Sequence, residues 1–482
     1  MTSRSISAAR LVELLGSSTS AGPAYRGIAD GLRLLIADGQ VPAGTRLPSE
    51  RELTAALGVS RTTVTRAYAT LRESGYAGAR QGSGTVATLP SASGRRHGTP
   101  LLPTHRDADG SINLTCAALA APHGTALAYE AAAAALPAYL DGTGYHALGL
   151  EELRERIADR YSARGLPTTP DQVMVTAGAL GALAATLRAL LAPGDRVLME
   201  SPTYPNAIAA VRSSGARPVA LPVDPSGWAT GTLEAALRQT SPRAAYLMPD
   251  FQNPTGALMP DDQRQRVGAA LGRSHTITII DETLVDLPGP DAPLPPPRPL
   301  AATAPGAITL GSTSKAFWGG LRVGWLRAPL DVMPVLTEAR LTLDLGAPIL
   351  EQLVLVRLLE DQESILRERR NHLATSRDAL ADALGTLLPS WRFSMPAGGL
   401  SLWVQLPEPM STALTIAAER HDVLLAPGPQ FAVEGGLERW IRLPYTGSPE
   451  VLRDAVSRLE LATRELGTGF SGRRRSLAPL IA

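Results

Sequence analysis

Lysine is nearly missing from this 482-residue chain: of its 46 lysines and arginines, only Lys315 is a lysine. Cysteine is as rare, with Cys116 alone. One cysteine excludes an internal disulfide and fits a reducing compartment; Cys116 is expected to be a buried small hydrophobe rather than a nucleophile. Aromatic residues make up 4% of the chain, which leaves much of the packing to alanine. Net charge is close to nothing, formally +1, so a global attraction to polyanions is excluded and any nucleic-acid binding needs a local patch. No apolar run reaches the ~18 residues of a membrane span. The opening Met1-Thr2-Ser3-Arg4-Ser5 has no signal-peptide apolar region, so no membrane association and a cytoplasmic location are expected. The length suggests two or three domains of ~100–200 residues each, and 44% hydrophobic with 19% charged residues is ample for globular cores.

A chain that uses arginine at every other cationic position has a chemical reason to keep one ammonium. Arginine stays protonated, whereas a desolvated lysine can lose its proton and attack a carbonyl to form a Schiff base. Lys315 lies in Gly311-Ser312-Thr313-Ser314-Lys315-Ala316-Phe317-Trp318-Gly319-Gly320-Leu321-Arg322. The hydroxyls of Ser312 and Ser314, with Arg322 one loop later, suit a phosphate beside that amine. Together these suggest pyridoxal phosphate (PLP) held as an aldimine on Lys315.

The N-terminal stretch reads differently. Tyr25, Ile28, Ala29, Leu32, Leu35 and Ile36 form an apolar stripe at helical spacing. After a Gly/Pro break, Ser49 caps a second helix and Glu52 completes a capping box. That helix stops at Gly58, and Ser60 caps a third that buries Val64, Ala67, Tyr68 and Leu71. Tyr76–Arg80 and Thr85–Thr88 read as short strands around Gly82. Helix, helix, turn, helix and hairpin make a winged helix-turn-helix, whose third helix would offer Ser60-Arg61-Thr62-Thr63 to a major groove. Residues 1–88 hold ten arginines and six acids, a local +4. Pro42-Ala43-Gly44-Thr45-Arg46-Leu47-Pro48-Ser49-Glu50-Arg51-Glu52-Leu53, Gly58-Val59-Ser60-Arg61-Thr62-Thr63-Val64 and Gly75-Tyr76 resemble the GntR family of bacterial regulators. The resemblance implies DNA contacts from Arg51, Ser60, Arg61, Thr62, Thr63, Arg66 and Gly82.

Residues 89–112 lack apolar periodicity and read as a linker. From 113 to 482, helical stretches alternate with apolar runs at Val173–Thr176, Arg196–Met199, Pro218–Leu221, Ala244–Met248, Thr276–Asp281 and Ala307–Gly311. That alternation predicts an α/β domain with a mostly parallel sheet, whose ligands gather at the carboxyl ends of the strands. Four features fall there. Ala177-Gly178 opens a helix and could cradle phosphate with bare amides. Tyr204 could stack on a planar ring or simply pack. Asn253, in Asn253-Pro254-Thr255-Gly256, could donate to a phenolic oxygen or mark only a turn. Asp281 could meet a pyridinium nitrogen, since a buried carboxylate needs a cation, or cap a loop.

These residues resemble fold-type I PLP enzymes, specifically class I/II aminotransferases. The resemblance implies that Lys315 forms the internal aldimine, Asp281 pairs with the pyridine nitrogen, Asn253 bonds the ring hydroxyl and Tyr204 stacks on the ring. It implies phosphate contacts from Ala177, Gly178, Ser312, Ser314 and Arg322, with Tyr145 reaching the neighbouring subunit's phosphate in a homodimer. Arg442 matches the arginine that grips a substrate carboxylate, a task for which its forked guanidinium is suited. Three positions depart from the family pattern: Thr283 replaces a tyrosine, Ser401 a common histidine, and Ala147-Leu148 the usual Asp-Pro. The GntR-like head fused to this body resembles the MocR subfamily of regulators. The expected activity is that of a PLP-dependent regulator binding operator DNA and sensing a small amino compound by aldimine exchange at Lys315. The alternative is a working aminotransferase with a DNA-binding head. No metal site is expected.

Overall fold

Why short helices persist in the N-terminal part is a matter of caps as much as of core. The computed structural model describes residues 5–15, 23–37, 41, 45–80, 84–88, 111–223, 227–228 and 230–471. The head contains α1 (Ala8–Leu15), α2 (Ala24–Ala37), α3 (Glu50–Leu57) and α4 (Arg61–Glu73), followed by the hairpin β1 (Ala77–Arg80) and β2 (Gly84–Ala87). Helix α3 has only eight residues, too few to hold itself in water. The Ser49 hydroxyl accepts from Glu52 N at 3.3 Å, while the Glu52 carboxylate accepts from Ser49 N at 2.8 Å. Gly58, at φ +66°, closes its other end in the left-handed region. Ser60 caps α4 by accepting from Thr63 N at 3.2 Å. Leu11, Leu32, Ile36, Leu53, Val64, Tyr68 and Leu71 fill the head's core, and the Tyr68 hydroxyl donates to Pro48 O at 2.8 Å. The sequence reading contained no counterpart of α1, whose single fully buried residue is Leu11.

The body is built on a seven-stranded sheet in the order Val173–Thr176, Gly324–Arg327, Ile308–Ser312, Ile277–Asp281, Ala244–Leu247, Arg196–Ser201 and Arg217–Pro222. All six strands expected from apolar runs are present. Gly324–Arg327 was not expected, and it alone runs antiparallel to its neighbours. Alternate residues serve opposite faces: Val173, Val175, Leu198, Ala245 and Leu247 join one core, Met174, Val197, Met199, Ala244 and Tyr246 the other. Sheets covered on both faces give continuous apolar runs, so these strands could be found from sequence. A separate antiparallel sheet of Arg392–Phe393, Ser401–Gln405, Trp440–Pro444 and Ala426–Pro427 has its own core. The segment Ile112–Asn113 pairs in parallel with Val423–Leu424. Ile112, assigned to the linker by sequence, is thus buried in this smaller unit. In the Pro-rich stretch 287–306, Leu287, Leu300 and Ala301 are buried, while 293–295, 305 and 306 are exposed.

Ser49→Ala should remove about 1 kcal/mol from α3. Hydrogen exchange of the α3 amides should then speed by roughly fivefold; unchanged exchange would show that the box contributes nothing.

Candidate functional site

Lys315 follows the strand Ile308–Ser312, on a single π-type turn over Ser314–Trp318. Its Nζ donates to the Ala117 carbonyl at 2.7 Å. Desolvation by burial pulls the ammonium below the usual lysine range; Arg442 and Arg322 act in the same direction, while Cys116 and Asp281 oppose it. Asp281 ends the strand Ile277–Asp281 and is 5% exposed. Burial raises its carboxyl above the usual range, against the Tyr246 hydroxyl that donates to it, the Thr283 N–H at 2.9 Å and the Lys315 charge.

Tyr204 stands just past the strand Arg196–Ser201, and its hydroxyl accepts from Asn206 Nδ2 at 2.9 Å. Burial raises its phenol, with Asp281 and Arg442 among the charges it feels. Asn253 lies in the loop after the strand Ala244–Leu247. Arg442, in the strand Trp440–Pro444 of the smaller sheet, is 7% exposed and donates to Thr115 O. Its guanidinium lies 4.9 Å from the Phe431 ring centre, and its buried Nε has no partner. Burial brings its pKa down to about 10.

A cradle lies beside the lysine. The helix Gly178–Leu190 starts directly after the strand Val173–Thr176 with no side-chain cap at Ala177, which leaves its first amides for a ligand. Arg322 donates to the Ala177 carbonyl at 3.3 Å. Ser314 N donates to Ser312 Oγ at 3.1 Å, and the two hydroxyls are 3.1 Å apart. Gly178 has φ +79°, and a Cβ there would come 3.0 Å from the Arg322 guanidinium. The positive φ favours glycine here, and a Cβ would also crowd the tip of Arg322.

The structure therefore gathers Lys315, Asp281, Tyr204, Arg442 and Arg322 from both sheets into one electrostatic cluster. Tyr145 stands 67% exposed at the surface, outside this chain's own cluster. Cys116 corrects its sequence reading: it is half-buried rather than core, and it faces Lys315, Arg442 and Tyr204. Two further residues were missed. Tyr246, read as a strand residue, supplies the hydroxyl on Asp281, and Thr115 supplies the acceptor for Arg442. An alternating buried strand carries no mark that one of its residues will meet a carboxylate on the next.

In the head, Arg51, Ser60, Arg61 and Thr62 are exposed and Thr63 half-buried. Arg66 is exposed and its guanidinium lies 4.7 Å from the Tyr25 ring centre. Glu50 accepts from Thr65 at 2.8 Å and sits 4.0 Å from Arg61 and 3.8 Å from Arg72, tying α3 to α4. Gly82 lies outside the described residues. Among the described residues no group of side chains could hold a metal ion, and no helix is long and apolar enough to cross a membrane.

A depressed lysine amine, a buried carboxylate at the end of the neighbouring parallel strand, and an uncapped helix beside an arginine fit a phosphorylated pyridine aldehyde. With the fold, they define an aminotransferase-like, PLP-binding body behind a DNA-binding head. The chain belongs to the aminotransferase class I and II family, matched over residues 109–459, and residues 24–86 match the bacterial regulatory proteins of the gntR family. It is 30% identical to an uncharacterized HTH-type transcriptional regulator of Escherichia coli, YdcR, over 87% of this chain and 94% of that one. It is 33% identical to the probable rhizopine catabolism regulatory protein MocR of Rhizobium meliloti, over 64% of this chain and 66% of that one. Among solved structures, the α-aminoadipate aminotransferase LysN of Thermus thermophilus, complexed with N-(5'-phosphopyridoxyl)-L-leucine, superposes with a TM-score of 0.69 at 30% identity, covering 75% of this chain and 94% of that one. The protein is a MocR-type, PLP-dependent transcription regulator of the GntR family.

Gly324 packs its α-carbon against the cradle, and a Cβ there would lie 2.4 Å from the Gly178 carbonyl carbon and 2.6 Å from Ala179 N. Gly324→Ala should push the cradle outward and weaken PLP binding by about tenfold or more, which is ~1.4 kcal/mol. Absorbance titration of the cofactor-free protein measures this.

Proposed function

We propose that this regulator senses a small amino compound bearing a carboxylate, that it does so at Lys315, and that it works as a homodimer on paired operator half-sites. The observation that carries the reading is the pairing of a desolvated amine with Arg442, whose Nε is buried without a partner. One reads an amine and the other a carboxylate, the two polar ends of an amino acid. PLP supplies an aldehyde that condenses reversibly with primary amines. Around it, Asp281 would face the pyridine nitrogen, Asn253 the ring hydroxyl and Tyr204 the ring face. Ala177, Gly178, Ser312, Ser314 and Arg322 would hold the phosphate.

How occupancy reaches the head follows from the segment Thr115-Cys116-Ala117. Its carbonyls at Thr115 and Ala117 accept from Arg442 and Lys315 respectively. A charged carboxylate is a stronger acceptor than a carbonyl, so an effector carboxylate on Arg442 would displace Thr115, and a group bonded to Lys315 Nζ would change what that nitrogen can donate to Ala117. This segment begins three residues past the end of the 89–112 linker. An effector that favours one arrangement of it over another thereby shifts the head's DNA affinity, and DNA shifts effector affinity reciprocally.

Tyr145, Leu140, Leu343 and Leu345 are 67%, 66%, 48% and 45% exposed, and His146, next to Tyr145, lies against Gly346, next to Leu345. An apolar surface of this kind suits a second copy of the chain, with Tyr145 reaching the partner's phosphate. Two heads then meet two half-sites, with affinity that falls as salt rises. The retained Lys315 and Arg442 also keep transamination open as a second reading, against which the exchange at Thr283 weighs.

Titrating the PLP-loaded protein with a panel of amino acids should change its visible absorbance for one class without multiple turnovers of keto acid. Lys315→Ala should abolish that response, and sustained keto-acid formation would favour the enzyme. Arg61→Ala should weaken operator binding by roughly 1–3 kcal/mol. An unchanged mobility shift at fixed salt would remove Ser60–Thr63 as the reading element.

A further inference from the structure

One buried carboxylate belongs to none of the roles assigned above. Glu200 sits in the strand Arg196–Ser201, fully buried at 0% exposure. Its Oε1 accepts from Trp228 Nε1 at 2.7 Å and from Met248 N at 3.0 Å. Its Oε2 accepts from Gln252 Nε2 at 3.1 Å. Three donors converge on the carboxylate, so the ionised form is the one they satisfy. Burial lifts its pKa to about 7, and the nearby Asp281 charge adds to that.

Gln252 is 1% exposed and spends its whole side chain on two loops. Its Nε2 also donates to Pro202 O at 2.7 Å, two residues ahead of Tyr204. Its Oε1 accepts from Thr255 N at 3.1 Å and from Thr255 Oγ1 at 2.8 Å, closing the turn that carries Asn253. Its main chain ties the same turn through Gly256 N at 2.6 Å and Ala257 O at 2.9 Å. The first loop is anchored again where Thr203 N donates to Phe431 O at 2.9 Å, under the ring that Arg442 covers. A buried charge costs several kcal/mol relative to an apolar residue of like volume. A purely structural filler would do without it.

We propose that Glu200 is a positioning residue: acting through Gln252, it sets the spacing between the Tyr204 and Asn253 loops, and so the slot that takes the pyridoxal ring. The proposal rests on the reading of Tyr204 and Asn253 as ring contacts. Glu200→Gln keeps the shape. Its amide oxygen can still accept from Trp228 and Met248, but its NH2 then confronts the NH2 of Gln252, two donors with no acceptor between them. Gln252→Met removes the same link from the other side. Trp228→Phe is the control, since it takes a donor from Glu200 without touching either loop.

The test is PLP titration of the full-length protein, read by visible absorbance and by the circular dichroism of the bound cofactor. Thermal unfolding of the cofactor-free form is followed alongside. Glu200→Gln and Gln252→Met should each raise the PLP dissociation constant about tenfold or more and change the cofactor's dichroism. Trp228→Phe should lower the unfolding temperature while leaving PLP affinity within about threefold. If Glu200→Gln and Gln252→Met lower only the unfolding temperature and bind PLP with wild-type affinity and dichroism, Glu200 is a brace and the proposal fails. If Glu200→Gln does not fold, Gln252→Met alone decides. Should Tyr204→Ala and Asn253→Ala leave PLP binding intact, the ring-contact reading fails first, a result distinguishable from failure of the Glu200 link.

Discussion

Charge held out of water is the constraint on which this molecule is organised. Lys315, Asp281, Arg442 and Glu200 are each desolvated in or just past strands of the two sheets. None of these groups would be stable there singly, because the loss of hydration exceeds what one partner returns. Each is held by donors or acceptors from a different part of the chain: Ala117 for the lysine, Tyr246 and Thr283 for the aspartate, Thr115 and Phe431 for the arginine. The site is polar, buried and only partly satisfied, with the Arg442 Nε left over. That residue of unmet hydrogen bonding is what a ligand can supply.

The same constraint bears on one short stretch of chain. The carbonyls that quiet Lys315 and Arg442 come from one short segment, Thr115–Ala117. That segment follows a strand that pairs Ile112 with Val423, so it is anchored in the smaller sheet on one side and bonded to the site on the other. The head has its own core and its own caps. The body begins with Ile112 paired to Val423, and three residues later Thr115 accepts from Arg442.

Local chemistry accounts for what could be read in advance. Ser49 with Glu52, Gly58 and Ser60 announce the ends of α3 and α4, because caps act over three residues. The buried strands announce themselves as apolar runs. A single lysine among arginines announces a nucleophile. Gly324–Arg327 escaped notice because it is short, follows directly on the lysine loop and pairs antiparallel both with Ile308–Ser312 and with the distant Val173–Thr176. Cys116 was misjudged since composition says nothing about which wall of a cleft a small residue will line. Tyr246 and Gln252 look like ordinary strand and turn residues until the sheet sets them against Asp281 and Glu200.

By itself the sequence determined the two-part build, the helix caps of the head, six of the seven strands of the large sheet and the presence of a single lysine. Those follow from interactions within a few residues or from composition. Only the tertiary structure decided which groups share the desolvated cleft, that Thr115 and Ala117 bond two of them, and that a carboxylate in a neighbouring strand ties two loops together. These are contacts between residues tens to hundreds of positions apart, and their partners are chosen by sheet order and burial, which no local pattern encodes.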